Sequence, residues 1–409
     1  MKYKIVTLLF LLAGIGTLNA QIIHRGFVRT HLGGLIENGE YSVLKNTFDW
    51  RLEYSKGDVG LFVNTVFDHN GLTKDLDINL RQAYFDIYFD NFDLRIGKQQ
   101  IIWGKAQGVF ITDIVSPKNL SDFLLPDFEE IRIGITSVKV DYYMGNNTLE
   151  LVWVPLFSPT IMPNQNSIWY PKMDFPIIPT FDYSKKEIDA NLDNGEYFIK
   201  YSLLSSKIDF ELMSGYMWDD DPTMHVYKTI NPQTMQIDSL AVVPQHHRLG
   251  LGGASFSTTV GRFILRGEGA FYDGKYFNTE DPQIADAVIE KDYLHYLVGL
   301  DFSLFGINMS TQFIQQAILD YNDQIKNDEY ENTMTYMAYK TFLRETLKFE
   351  FFSYIGFNSN DALIRPKISY DLSDGFEVIF GANIFVGDEG KFGNYDDNDM
   401  LYAKIKYSF

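Results

Sequence analysis

The seven histidines are the residues best suited to acid–base or metal chemistry, and they are scattered: His24, His31, His69, His225, His246, His247 and His295. Only His246 and His247 are neighbours, and adjacent positions on an extended strand project to opposite faces, so these two are not expected to converge on one metal ion. His24 is expected to be an exposed residue near the start of the mature chain. A hydrolase needs a nucleophile or an activated water beside a base at one location. The chain has no Gly-x-Ser-x-Gly and no His-Glu-x-x-His pattern. It also has no cysteine, which removes thiolate nucleophiles and metal sites, disulfides and lipoprotein acylation. No catalytic residue, cofactor or metal site is expected, and the protein is not expected to be an enzyme.

A second set of polar residues is spaced for a different task. The last nine residues alternate strictly: Leu401, Ala403, Ile405, Tyr407 and Phe409 share one face of an extended strand, and Tyr402, Lys404, Lys406 and Ser408 the other. The parity recurs upstream. Phe376, Val378, Phe380, Ala382, Ile384 and Val386 oppose Glu377, Gly381 and Asn383, while Tyr296, Val298, Leu300 and Phe302 oppose His295, Asp301 and Ser303. An apolar face backed by a charged one suits a wall between lipid and water, because Lys or Arg at the bilayer midplane costs roughly 2 to 4 kcal/mol. By this parity Lys200, Asp209, Glu211, Arg262, Arg266, Glu268, Lys348, Glu350, Arg365, Lys367, Lys404 and Lys406 point inward. A wall of mixed sign fits a water-filled or loop-plugged interior without a single-ion filter.

Such a wall requires export. Residues 1 to 20 read as a secretory signal: Lys2 and Lys4, an apolar run from Ile5 to Ile15, and a small and polar stretch ending Asn19-Ala20, with cleavage expected after Ala20. No later stretch supplies the roughly 20 apolar residues of a spanning helix. A barrel strand is apolar on one face only, so a mean hydropathy of -0.14 is compatible with a membrane wall. The 33 Phe and 26 Tyr raise the aromatic share to 16%, which suits girdles at membrane interfaces. Loss of the signal leaves 33 basic against 54 acidic side chains, a net charge of -21, and that sign argues against nucleic acid as a partner. The acids gather in expected loops: Asp219-Asp220-Asp221, Glu280-Asp281, Asp388-Glu389, Asp396-Asp397 and Asp399. They read as solvated loop tips, or alternatively as bridges through divalent cations to lipopolysaccharide or as cation attractors at a pore mouth.

Period-2 segments bounded by turn residues number eighteen. They lie near 22–35, 41–56, 58–69, 76–89, 92–100, 129–143, 147–155, 194–204, 206–218, 244–257, 260–272, 292–304, 306–320, 333–343, 346–357, 362–372, 375–387 and 399–409. After the first strand the connections alternate long and short, as in bacterial barrels with short periplasmic turns and long external loops. The expectation is an all-β, transmembrane, antiparallel up-and-down barrel of eighteen strands, with sixteen as the alternative. It would fill residues 21–409 and sit in the outer membrane. Two connections, 101–128 and 156–193, are long enough to enter the lumen. The second carries Pro159, Pro163, Pro171, Pro176 and Pro179 with Trp169, Tyr170, Phe175, Ile177, Ile178 and Phe181, too apolar for disorder in water. It is read as a lid or constriction in the mouth, or as a folded external cap or a surface for a partner.

The stretch Arg81-Gln82-Ala83-Tyr84-Phe85-Asp86, then Leu94-Arg95-Ile96-Gly97-Lys98-Gln99-Gln100-Ile101-Ile102-Trp103-Gly104, then Asp113-Ile114-Val115-Ser116-Pro117, resembles an uncharacterised porin-like family of Gram-negative outer membranes. Lys98 and Ser116 stand where that family often has arginine and asparagine. The resemblance implies a barrel related to alginate-export-like and substrate-selective porins. On the strand at 92–100, Phe92, Leu94 and Ile96 face lipid, and Asp93, Arg95 and Gln99 face the lumen. Gly97 on the inner face is expected to leave room for loop 101–128 to approach the wall, and Trp103 and Lys105 stand where that loop turns inward. Arg95, Gln99 and Asp113 are read either as anchors of the loop or as contacts for solute. With them, Trp103, Lys105, Lys118, Arg262, Arg266, Glu268, Lys348, Glu350, Arg365 and Lys367 are the candidate lumen and constriction residues. Tyr407 and Phe409 are the candidate assembly signal. The expected role is a porin-like channel for passive or selective passage of small solutes. The alternatives are a non-conducting structural, adhesion or secretion-partner barrel and a transporter of apolar compounds. Expected partners are outer-membrane lipid and lipopolysaccharide, a small solute and the barrel assembly machinery, with the oligomeric state left open.

Overall fold

The computed structural model describes residues 22–171 and 175–409, and the expected export signal lies outside them. In chain order the strands are β1 (Ile22–Leu35), β2 (Tyr41–Lys56), β3 (Val59–Asn70), β4 (Asp75–Tyr88), β5 (Phe92–Gln99), β6 (Ile135–Met144), β7 (Asn147–Val154), β8 (Thr180–Phe181), β9 (Glu196–Leu204), β10 (Ile208–Trp218), β11 (Thr223–Ile230), β12 (Ile237–Gln245), β13 (Arg248–Val260), β14 (Phe263–Asn278), β15 (Val288–Leu304), β16 (Ile307–Ile318), β17 (Tyr330–Phe342), β18 (Leu347–Gly356), β19 (Asp361–Ser373), β20 (Phe376–Val386) and β21 (Met400–Ser408). Eighteen of them form one closed antiparallel wall, each paired with its neighbours in sequence, which settles the count at eighteen rather than sixteen. β1 closes the ring against β21, from Phe27 opposite Ser408 to Leu35 opposite Met400. The backbones of Gly26 and Phe409 add two 3.0 Å hydrogen bonds.

Parity sorts the faces as the alternation requires. Phe380 (58% exposed), Leu401 (60%) and Val298 (52%) look outward, while Glu150, Glu268 and Gln312 are buried inside. This inversion of the usual soluble pattern is the signature of a wall with lipid outside. The wall connections of two or three residues all lie at the end that holds both termini. At one of them Phe305 and Gly306 have φ of 53° and 71°, the handedness that matches the twist of the flanking strands.

Four expectations are corrected. Residues 129–134 are not strand: a helical turn at Phe128–Ile131 precedes Arg132, and β6 begins only at Ile135. β8, β11 and β12, which the alternation did not reveal, form a separate three-stranded sheet among the long loops. Arg262 is not a lumen residue; it sits exposed in the two-residue turn between β13 and β14, its guanidinium 5.1 Å from the Phe263 ring centre. Gly97 does not make room for the loop. At φ 134°, a Cβ there would fall 2.3 Å from the Ala83 carbonyl oxygen on β4, so the neighbouring strand's own backbone demands glycine.

Candidate functional site

After β5 the chain turns into the lumen and rejoins the wall only at β6. Its stem is clamped by Ser116, whose Oγ accepts the Ile101 N–H at 2.8 Å and donates to the Ile101 carbonyl at 3.0 Å. Asp113 accepts the Trp103 N–H (3.2 Å) and Arg132 Nε (2.6 Å). Burial pushes the Asp113 carboxyl above its ordinary range, against the pull of Arg132. Its bonds are therefore internal to the loop.

From this stem the loop reaches wall residues spread around the circumference. Trp103 Nε1 donates to Glu150 on β7 at 2.5 Å. Lys105 Nζ lies 3.7 Å from Glu211 on β10, and Arg266 on β14 donates to the Lys105 carbonyl at 2.7 Å. Gln312 on β16 accepts the Gln107 N–H at 3.0 Å and returns a hydrogen bond to its carbonyl at 2.5 Å. Tyr354 on β18 donates to the Gly108 carbonyl. Arg365 on β19 holds the carbonyls of Leu124 (3.0 Å) and Leu125 (2.6 Å). Further round the ring, past β20 and β21, Arg29 on β1 and Arg51 on β2 pair with Glu130 and Glu129, each at 2.8 Å. A segment tied to β1, β2, β7, β10, β14, β16, β18 and β19 spans the bore.

The densest knot is at Glu268. One carboxylate oxygen receives the N–H groups of Lys105 and Ala106, and the other lies 3.0 Å from Thr112 Oγ1 and 3.4 Å from Thr112 N. Two successive N–H groups aimed at one anion make a backbone nest. Gly104 permits it: its φ is 82°, and a Cβ there would fall 2.8 and 2.9 Å from the Glu268 oxygens. The Trp103-Gly104 pair thus turns the chain inward and receives a wall carboxylate.

The loop divides the lumen. On the long-loop side lies a cavity of about 360 Å³ bordered by Phe110, Leu124, Lys118, Asp220, His295 and Lys391 among others. On the short-turn side is one of about 290 Å³, lined by six cations, Arg29, Lys348, Arg365, Lys367, Lys404 and Lys406, against four carboxylates, Asp127, Glu345, Asp371 and Glu377. Leu124 borders the first cavity and Asp127 the second, so the loop passes from one to the other within this short stretch. Lys348 and Lys367 both pair with Glu350, Lys367 at 2.5 Å. Among the described residues Arg365, Lys404 and Lys406 have no carboxylate ion pair within 4.0 Å. Burial works against the Asp127 carboxylate, yet Lys404, Lys367, Arg29 and Arg365 hold it below its ordinary range.

Residues of the second long loop pack onto the first in the mouth. The Ile161 backbone exchanges hydrogen bonds with Lys118 and Leu120, both 2.8 Å, and Trp169 lies 6.0 Å from Phe123, their rings nearly parallel. The Trp169 carbonyl accepts the Tyr395 hydroxyl at 3.2 Å. Asp219, Asp220 and Asp221, expected as solvated loop tips, instead border the larger cavity. Burial and then Glu196 push the Asp220 carboxyl well above its ordinary range.

The geometry therefore gathers Trp103, Lys105, Asp113, Arg266 and Glu268 into one knot, and Lys348, Glu350, Arg365 and Lys367 around the smaller cavity. Lys118 serves through its backbone, with its ammonium 5.6 Å from the Phe110 ring centre. Two candidates stand apart. Arg95 pairs with Asp86 at 2.6 Å and lies over Tyr84, away from the loop, and the fully buried Gln99 donates to the Ser137 carbonyl at 3.3 Å. Gln312, Tyr354 and Glu150 were missed, although each is a polar residue at an inward-facing position.

A family model described as "Protein of unknown function (DUF1302)" matches residues 68–409. The chain belongs to that family. No curated protein matches the sequence. Among solved structures, the chain is similar to Pseudomonas aeruginosa OccK8 (OprE), at 10% identity and TM-score 0.56, over 96% of this chain and 98% of that one. It is similar to Acinetobacter baumannii OccAB4 at 9% identity and TM-score 0.56, over 96% and 99%. It is also similar to Pseudomonas aeruginosa OccK2 (OpdF), solved in complex with glucuronate, at 11% identity and TM-score 0.54, over 96% and 97%. At such identities the likeness is one of fold: a complete porin-like barrel of the outer-membrane type. The DUF1302 match begins at Asp68, within β3, so it covers both long loops, 101–128 and 156–193.

Proposed function

We propose that the protein is a loop-constricted channel that carries small solutes across the outer membrane, with the short turns in the periplasm and the long loops outside. The observation that supports this most is the pair of cavities, about 360 and 290 Å³, one bordered by Leu124 and the other by Asp127 of the same in-folded loop. A tightly tied loop narrows the bore yet leaves space above and below it. The cations Arg365, Lys404 and Lys406 at the inner cavity favour solutes that carry negative charge. In planar bilayers the purified protein should show stepwise conductance. Under a potassium chloride gradient its reversal potential should indicate anion preference, and replacing Lys404 and Lys406 with glutamine should move it toward cations. No conductance, from the native chain or from a variant lacking residues 104–112, would overturn the channel reading and favour a structural, adhesion or secretion-partner barrel.

The rings of Phe110, Phe123, Tyr272, Tyr293, Tyr354 and Phe392 around the outer cavity favour a second reading, in which the solute has an apolar body. Retention of detergent or fatty acid by the purified barrel would support it. Lipid and lipopolysaccharide would cover the outward apolar band. Tyr407 and Phe409, both facing outward beside the closing seam, would be the residues read by the assembly machinery.

A further inference from the structure

On the outer face of the wall, β7, β9 and β10 carry a row of aromatic side chains near their long-loop ends. Cross-strand register sets Trp153 on β7 beside Tyr197 on β9, and Tyr197 beside Tyr216 on β10. These positions alternate with the buried Val152, Phe198 and Met217, so they face outward, and Tyr197 and Tyr216 are more than half exposed. Two residues nearer the loops, Trp218 pairs with Arg248, the first residue of β13, on the same face. The Arg248 guanidinium lies 4.3 Å from the Trp218 ring centre and 4.9 Å from that of Tyr216. It donates to the carbonyls of Gly195 (2.9 Å) and Asp193 (3.0 Å), which leaves three of its five N–H groups for other acceptors. Among the described residues no carboxylate lies within 4.0 Å of it. Asp273, exposed on the same face opposite Gly250, forms no ion pair with it.

Beyond the aromatic row the side chains become aliphatic and then small. Register carries Leu151, Ile199, Ser214 and Gly252 across β7, β9, β10 and β13. The Ser214 hydroxyl donates to the Leu251 carbonyl at 2.8 Å, so its proton is already bound, and a Cβ added at Gly252 would meet nothing within 4 Å. The result is an outward apolar groove of about 520 Å³ bordered by Leu151, Trp153, Tyr197, Ile199, Ser214 and Tyr216. Tyr216 belongs both to the groove and to the seat of the guanidinium, so the two are continuous.

A cation on an aromatic rim above an apolar groove matches a lipid with an anionic headgroup. The guanidinium fork fits phosphate, the rings hold the headgroup level, and the groove takes an acyl chain. A free phosphate would use only the first of these, and a second barrel would leave the guanidinium without an anion. With the long loops outside, the lipid of that leaflet is the phosphorylated, multiply acylated lipid A of lipopolysaccharide. We propose that Arg248, Tyr216 and the groove beneath them bind one lipid A molecule, its phosphate on the guanidinium and one acyl chain in the groove. The proposal rests on the orientation given above and is independent of conduction.

The test uses the mature barrel in detergent, stripped of lipid and titrated with lipid A, dephosphorylated lipid A or phosphatidylglycerol, with bound lipid counted by native mass spectrometry. Lipid A should bind more tightly than either of the others. Arg248→Gln should weaken it by about 10-fold, through loss of a charge-assisted hydrogen bond. Ser214→Phe, which fills the groove without touching Arg248, should weaken it by about 4-fold for each methylene kept out. Both variants should keep the native chain's heat-modifiable gel migration. Because conductance is not read, failure here leaves the channel reading standing. Equal affinity for lipid A and its dephosphorylated form would overturn the proposal, as would unchanged binding in Arg248→Gln. Preference for phosphatidylglycerol, or a dimer that added lipid A does not separate, would give the groove to another occupant and overturn it too.

Discussion

Replacing Glu268 with glutamine probes the constriction where its fastening is densest. The side chain keeps its length, but it loses its charge, and one acceptor oxygen becomes an NH2 group facing loop donors. A hydrogen bond to a charged group contributes about 1.5–3 kcal/mol and a neutral one about 0.5–1.5. Loss of charge assistance at the Lys105 and Ala106 N–H groups therefore weakens the fastening by about 2–3 kcal/mol, with a further cost where the amide NH2 meets a donor. At about 1.4 kcal/mol per factor of ten, local opening of residues 104–112 should become about 30- to 150-fold more frequent. The remaining ties of Trp103 to Glu150 and of Leu124 and Leu125 to Arg365 should keep the rest of the loop in place. Hydrogen exchange by mass spectrometry should show faster exchange confined to the peptide around Lys105 and Ala106, with unchanged protection near Leu125. Single-channel records should gain brief openings of higher conductance. Unchanged protection at Lys105 and Ala106 would refute the assignment of Glu268 as the fastening of the loop.

Arg365→Gln should release the Leu124 and Leu125 carbonyls, loosen the loop between the cavities and raise the mean single-channel conductance; an unchanged conductance would show that the path runs elsewhere. Deleting Phe409 removes both backbone hydrogen bonds to Gly26 and the ring stacked 6.1 Å from Phe48. Its expected effect is a fall in the amount of folded barrel in the membrane, read by heat-modifiable migration, with normal conductance per inserted channel; normal membrane levels would count against it. The pH dependence of the external sheet follows from His247, whose folded value of about 4 lies below the ordinary 6.5. The neutral ring stabilises the folded cap above pH 6.5, and that contribution is lost as pH falls toward 4 because the opened segment takes up the proton more readily. Exchange in residues 223–247, corrected for intrinsic rates, should therefore be faster at pH 4.5 than at pH 7, and equal protection would exclude His247 as the cause.

The wall was legible because its code is local. Alternation over Leu401 to Phe409, or over Phe376 to Val386, needs only the pleat of a strand and the cost of a charge in lipid, and the turn residues punctuate it. The external sheet escaped because β8 is two residues long and β12 reads Ile237-Asp238-Ser239-Leu240-Ala241-Val242-Val243-Pro244-Gln245, with Leu240, Val242 and Val243 all buried and no clean period of two. At the constriction each half was readable alone. Trp103-Gly104 broke the strand pattern, and inward parity marked Glu268. Nothing local joins residues more than 160 positions apart, so neither the nest at Glu268 nor the bidentate grip of Gln312 on Gln107 could be read before the loop was placed. The acids Asp219 to Asp221 read first as solvated loop tips, with a place at the pore mouth only as the alternative. Charge and loop position were equated with the outside surface, but long loops on a barrel of eighteen strands fold back over its mouth, so a loop residue can line the solute path. Loop acidity in such a chain therefore bears on the permeation path as much as on solubility, and the outer cavity, with Asp220 facing the same space as Lys118 and Lys391, is where mutation of loop charge should alter conduction.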